Sequence, residues 1–297
     1  MKKKTLPEKV FSVFNVAFML ALCVITLFPY LNVLALSLND GMKAIPSGLM
    51  LIPKVFTWKN YAALLSNASI FRALLVSLGR IAVGLPLTLI ITFWAAYGLT
   101  RKNLPFRKTL VFIFFIPSVF SIGLIPQYIL FDFLHLLDNP LVYVLPGSFA
   151  FFNYILFRAY IRTIPESLEE SARLDGASDF KIMYRIYLPL CLPIIATISL
   201  FTIVYHWNDW TTTLYFITNS KWNVLAFELE RVLREQDRLT ALIQDAIKNG
   251  QIPSRSSTTS QELKYTEIII TTAPIIAAYP FLQKYFIKGM LIGGVKE

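Results

Sequence analysis

Apolar residues dominate six stretches, at about residues 10–37, 73–99, 109–131, 141–161, 190–216 and 267–287, and polar residues gather between them. Each stretch is close to or above the roughly 20 residues that carry a helix across a bilayer. The pattern predicts an all-α integral membrane protein with six transmembrane helices in a single domain, residues 1–297. The first run follows Met1-Lys2-Lys3-Lys4, as a secretory signal would. A signal's apolar region is only about 7 to 15 residues long, so this run reads as a retained first span. Two sizeable segments fall outside the membrane, about 38–72 and 217–266. The second holds a helical piece from Phe227 to Lys248, with Leu229, Val232, Leu233, Leu239, Leu242 and Ile243 at helical spacing, then a Ser/Thr-rich stretch at Ser254–Ser260.

Between the fourth and fifth runs lies a charged island, residues 162–189. Pro165 suits a first helical turn, where its missing N–H is no loss, and Glu166, Glu169 and Glu170 place negative charge at the positive end of the helix dipole. Gly176, after Asp175, is placed to take the left-handed conformation that closes a helix. From Ala177 to Leu188 the residues Phe180, Met183, Tyr184 and Tyr187 recur at i, i+3, i+4 and i+7, while Ser178, Lys181 and Arg185 fall elsewhere. That spacing predicts a second short amphipathic helix, and Pro189 and Pro193 set the entry to the next span. The island is therefore a helix-turn-helix at the membrane surface.

Composition agrees with a membrane protein: 56% of residues are hydrophobic and 15% charged, against about 25% charged in soluble domains. Lys2, Lys3, Lys4, Lys9, Arg101, Lys102, Arg107, Lys108, Arg158, Arg162, Arg173, Lys181, Arg185, Lys284, Lys288 and Lys296 all fall on one side of the six spans, and the opposite loop Asp132–Asn139 has no Lys or Arg. The positive-inside rule makes that side, with both termini and the 162–189 loop, cytoplasmic. The net charge of +10 then reflects topology and anionic headgroups, and no nucleic-acid motif is present. Cys23 and Cys191 lie at different depths and read as packing residues. With only His135 and His206, no metal site is expected. There is no Gly-x4-Gly-Lys-Ser/Thr phosphate loop, so any ATP that drives this chain is hydrolysed by another polypeptide.

Polar residues inside the runs are the candidates for a substrate pathway. His206, Trp207, Asn208 and Asp209, with Trp210, fall near the outer end of the fifth span, where they suit either a pore lining and outer gate or an interfacial aromatic belt. Gln127 and Asn153 suit a pathway or a helix–helix hydrogen bond. Arg80, in the second run, is expected to sit at its outer edge and snorkel to water.

The island resembles the EAA loop of the membrane permeases of binding-protein-dependent ABC importers, whose pattern is roughly Glu-Ala-Ala, three residues, Gly and a later Leu-Pro. Here it reads Glu170, Ser171, Ala172, then Arg173, Leu174, Asp175 and Gly176, with Leu188 and Pro189 downstream; Ser171 departs from the usual Ala. Tyr205-His206-Trp207-Asn208-Asp209-Trp210, and Tyr279 to Gly289 running on to Gly293-Gly294-Val295-Lys296, are similar to the sugar-permease branch, in particular its polysaccharide or oligosaccharide subgroup. The resemblance covers essentially the whole chain. It implies the type I ABC importer permease fold in a bacterial plasma (inner) membrane, a second homologous permease in a heterodimer, two ABC ATPases that bind ATP and Mg, and an extracellular or periplasmic sugar-binding protein, with no cofactor in this chain. It implies docking of the ATPase on Glu170, Ser171, Ala172, Asp175, Gly176, Ala177, Leu188 and Pro189. It also implies that the 217–266 loop reaches into the binding protein, the other reading being a cap on the permease alone, and that the tail Gly289–Glu297 reaches the ATPase interface, the other reading being a disordered or lipid-facing tail. An ion-coupled secondary sugar transporter is the competing class, but the chain shows no internal repeat and few intramembrane charges.

Overall fold

The computed structural model describes residues 6–40, 50–101, 103–120, 122–249, 263–277 and 280. Among them the regular structure is helical, apart from one antiparallel bridge between Asn39 and Phe56. The tail from Gly289, the Tyr279–Gly289 stretch, Ser254–Ser260 and the later part of the 267–287 run lie outside the described residues, Pro280 excepted. The chain divides into two compact units, Met1–Ala68 with Leu229–Ala273, and Ser69–Glu228 with Pro274–Glu297.

The first unit holds α1 (Leu6–Ser37) and α2 (Lys59–Leu65). No charged residue follows Lys9 in α1, and Phe11, Phe14 and Ile25 each stand more than half exposed, the surface a lipid-facing helix presents. Past its end the chain is held by amides. Asn39 Oδ1 accepts from the N–H groups of Lys54 and Val55 at 3.1 Å each, and Asn60 donates to the carbonyls of Ser37 and Asn39 at 2.9 and 3.1 Å.

The second unit is built on α3 (Ala68–Thr100), followed by α4 (Arg107–Val119), α5 (Leu124–Phe133), α6 (Phe151–Ile161), α7 (Glu166–Leu174), α8 (Asp179–Leu190), α9 (Leu192–Asn208) and α10 (Thr211–Phe216). A long helix, α11 (Leu225–Lys248), covers the helical stretch expected at 227–248, and residues 263–277 form α12; most of both helices belongs to the first unit. Among the described residues, α1 and α3 are single helices long and apolar enough to cross a membrane.

Three expected spans are interrupted. The 109–131 run parts into α4 and α5, because Gly123 takes φ +80°, outside the helical region. The 141–161 run is α-helical only from Phe151, after a short 3-10 helix at Pro140–Tyr143, since Pro146 and Gly147 do not propagate a helix through its first third. The 190–216 run ends its helix at Asn208. There the Asp209 carboxylate accepts from the Thr211 hydroxyl at 2.8 Å and the Thr212 N–H at 3.2 Å, starting α10 as a separate helix.

α3 and α9 each bury one stripe of residues, and the two helices meet at Gly84 and His206. On α3, Ala73, Ser77, Arg80, Gly84, Thr88, Thr92 and Ala96 are buried at three- and four-residue spacing; on α9, Ile194, Ile198, Thr202 and His206 are buried every four. Gly84 is the closest approach: a Cβ there would lie 2.5 Å from His206 Nε2. His206 is only 1% exposed and has little room to retreat. Gly84→Ala is therefore expected to cost about 1 to 3 kcal/mol of overpacking, read as loss of monodisperse protein after detergent extraction, and His206→Ala on the same chain is expected to restore it.

Candidate functional site

The 162–189 loop begins with Pro165 immediately before α7, one position earlier than a first-turn residue. Glu166 and Glu169 occupy the first turn. α7 ends in a Schellman arrangement. Gly176 at φ +75° donates its N–H to the Arg173 carbonyl, and the Ala177 N–H reaches back to that of Ala172, both at 3.0 Å. Ser178 then caps α8, its hydroxyl accepting from the Lys181 N–H at 3.4 Å. The bend is thus made by two adjacent end signals, a stop at Gly176 and a start at Ser178.

α8 is not the uniform amphipathic helix that spacing suggested. Met183–Tyr187 form a π-turn, and the wider turn brings Ile182, Met183 and Tyr187 to the core while Phe180 stands 64% exposed. Ala172 and Ala177 pack against the same core, beside Tyr97, Tyr154 and Phe157. α8 meets α9 at a 74° angle about Cys191, which is fully buried and free.

A charged cluster ties this loop to the end of α3. Glu169 forms ion pairs with Arg101 and, at 3.1 Å, with Arg173, and accepts from the Tyr187 hydroxyl at 2.8 Å. Arg173 also reaches Asp179, and the Tyr97 hydroxyl donates to the Asp179 carbonyl at 3.3 Å. The Arg101 guanidinium lies over the rings of Tyr97 and Tyr187, at 3.9 and 5.2 Å from their centroids. Burial opposes ionisation of Glu169, yet the hydrogen bonds from Arg101 and Tyr187 and the charge of Arg101 hold its carboxyl down at about 2. Burial, together with the hydrogen bond to Glu169, pushes the Tyr187 phenol up to about 12. A positive and an aromatic group from α3 therefore grip an acid on α7 and a phenol on α8.

The neighbouring acid does the opposite: Glu170 is exposed, as are Ser171, Asp175, Gly176 and Pro189, while Ala172, Ala177 and Leu188 are half-buried. Leu174, 89% exposed, and Phe180 add two bare apolar side chains to this outward face. Neither was singled out by the motif. The signal for Leu174 was an apolar residue in the last turn of a helix whose other late positions are polar. For Glu169 it was the i, i+4 pairing with Arg173.

At the other end of α3, Arg80 does not snorkel: it is 4% exposed and held by Asp209. It donates to the Asp209 carboxylate at 2.8 Å and carbonyl at 3.0 Å, and stacks 4.7 Å over the Tyr143 ring. The counter-charge comes from 129 residues away, so the guanidinium has no need of water. Tyr143 passes its hydroxyl to the Trp222 carbonyl at 2.7 Å. His206 and Trp207 are buried, Asn208 is exposed and Asp209 is half-buried, so one short stretch is divided among three environments. Asn153 is buried on α6 and Gln127 half-buried on α5, and neither makes a side-chain hydrogen bond among the described residues.

Comparison with known proteins bears on both ends of this arrangement. The family described as "Binding-protein-dependent transport system inner membrane component" is matched over residues 10–292. The polygalacturonan/rhamnogalacturonan transport system permease protein YtcP of Bacillus subtilis is 33% identical over 290 residues, 97% of this chain and 99% of that protein. Protein LplC of the same organism is 36% identical over 289 residues, 97% and 95% of the two chains. A chain of the crystal structure of a bacterial ABC transporter involved in import of the acidic polysaccharide alginate superposes with a TM-score of 0.84 at 23% identity, covering 96% of this chain and 100% of that one, a likeness of fold.

Proposed function

Because the chain belongs to the family of binding-protein-dependent transport system inner membrane components, we propose that it is the permease subunit of an ATP-driven importer of oligosaccharides or polysaccharide fragments. In this reading it crosses the inner membrane six times with both termini in the cytoplasm, pairs with a second, homologous permease, and receives sugar from a binding protein outside. Two ATPase subunits that bind ATP and Mg dock from the cytoplasm on the 162–189 loop. The observation that carries it is the two-sided build of α7 and α8. One side is locked to α3 through Glu169, and the other offers Glu170, Leu174 and Phe180 to solvent, the Phe180 ring resting against Tyr184 at 4.6 Å between centroids and staying 64% exposed. A loop fixed behind and sticky in front is what a partner's groove requires. The 217–266 loop, with α11, faces the binding protein on the opposite side.

Cysteines placed at Leu174 and Phe180 are expected to crosslink to the ATPase subunit in native membranes, and one at the exposed α1 position Phe14 is not. Leu174→Asp is expected to lower ATPase retention on purification about tenfold, since burying a leucine contributes roughly 1.5 to 3 kcal/mol. Unchanged retention together with absent crosslinks would overturn the docking assignment.

A further inference from the structure

Beside the Arg80–Asp209 pair, α3 lines one wall of an open groove of about 740 Å³, the size that takes a small oligosaccharide rather than a single ion. Its polar chemistry has one sign. Arg72, Arg80 and Lys221 line it, and no acidic side chain does. Arg72 and Lys221 are exposed and form no ion pair among the described residues, and the buried Arg80 keeps its Nε without a hydrogen-bond partner there. Trp222, 37% exposed, and the Tyr143 ring supply aromatic surface, while Leu75, Val76, Leu141 and Val144 supply aliphatic surface. Gly79 leaves the floor open: a Cβ there would meet nothing within 4 Å.

Depth distinguishes the candidate occupants. From Arg101 to Arg80 is 21 residues of the α3 segment, about 31 Å at 1.5 Å each, which is the thickness of the hydrocarbon core. Arg72 lies about 12 Å further along the same helix, and Lys221 lines the same groove. With the orientation proposed above, the groove opens outward from the outer membrane boundary, where a water-borne solute rather than an acyl chain arrives. Ring faces suit the apolar faces of pyranoses, and cations that form no ion pair among the described residues, such as Arg72 and Lys221, suit carboxylates over hydroxyls.

We propose that this groove receives an acidic saccharide, a uronic-acid oligomer whose carboxylates meet Arg72 and Lys221 and whose rings lie against Trp222. The inference rests on the importer reading and narrows its substrate class.

The test uses the purified permease–ATPase assembly in nanodiscs, without the binding protein, and measures binding of trigalacturonate and trimannuronate by calorimetry beside their carboxyl-reduced, neutral counterparts. At least one acidic trimer is expected to bind at least tenfold more tightly than its neutral counterpart, with an affinity that falls as salt rises. Arg72→Gln with Lys221→Gln is expected to weaken the acidic trimer about tenfold and leave the neutral one unchanged. Gly79→Phe, which fills open space without touching the fold, is expected to abolish binding. Equal binding of acidic and neutral trimers, or unchanged affinity in the double variant, overturns the proposal. So does a Gly79→Phe assembly that binds the saccharide normally and has lost bound phosphatidylglycerol in native mass spectrometry, which would assign the groove to lipid. Failure of the importer reading has a separate signature: no saccharide-loaded binding protein stimulates ATP hydrolysis by the assembly.

Discussion

Glu169→Gln is expected to lower the amount of sugar moved per ATP hydrolysed by tenfold or more while leaving the assembled complex intact. Glutamine keeps the shape of glutamate and still accepts from Tyr187, but it gives up the charge that binds Arg101 and Arg173. From the displacement of the Glu169 carboxyl, the lost stabilisation is on the order of 2 to 3 kcal/mol. The loss falls on the contact between α7 and α3, not on the outward face formed by Leu174 and Phe180, so ATPase retention is the control that stays constant. A variant with normal transport per ATP would show that α7 delivers its motion by another route. The same carboxyl sets a pH signature. Its folded value, about 2, lies below the ordinary 4.5, so its contribution is fully present above about pH 4.5 and disappears as pH falls towards 2. The thermal midpoints of wild type and Glu169→Gln should differ by a constant amount above pH 4.5 and converge below it.

Asp209→Asn is expected to remove folded protein from the membrane. It leaves the Arg80 guanidinium buried over Tyr143 with no counter-charge, a change that costs roughly 3 to 5 kcal/mol when one partner of a buried pair is removed. Arg80→Lys does not rescue the site in the reverse direction, because a single ammonium cannot reproduce the fork that meets both the carboxylate and the carbonyl of Asp209. The double variant Arg80→Leu/Asp209→Leu should recover most of the lost protein, as apolar replacements of buried pairs often do. Size-exclusion profiles of detergent extracts report all three, and single variants as abundant as wild type would show that the pair is dispensable.

The parts of this structure that could be read from the chain are those whose causes are local. Gly176 ends α7 because its neighbours Asp175 and Ala177 give a helix-stop pattern within five residues, and the long apolar runs under α1 and α3 stay helical through Pro29 and Pro86. What escaped depends on distant or near-degenerate information. Arg80 and Asp209 are 129 residues apart, and an isolated arginine in an apolar run reads as snorkelling. Glu169 and Glu170 are adjacent acids, and only the position of Arg101 decides that the first turns inward and the second outward. The π-turn at Met183–Tyr187 moves Phe180 off the face that a uniform 3.6-residue period assigns it. The breaks inside three of the runs were not legible because hydropathy averages over Pro146, Gly123 and Asp209, each of which acts on backbone geometry at a single point.

The 74° corner between α8 and α9 makes the pair a bell crank. Its pivot, Cys191, is sealed in the core and cannot slide. A sideways nudge of a few ångströms on the short arm turns into tilt of the long one, whose 17 residues extend roughly 25 Å. Leverage of this kind delivers its largest displacement at the arm's far tip, where His206 presses on Gly84.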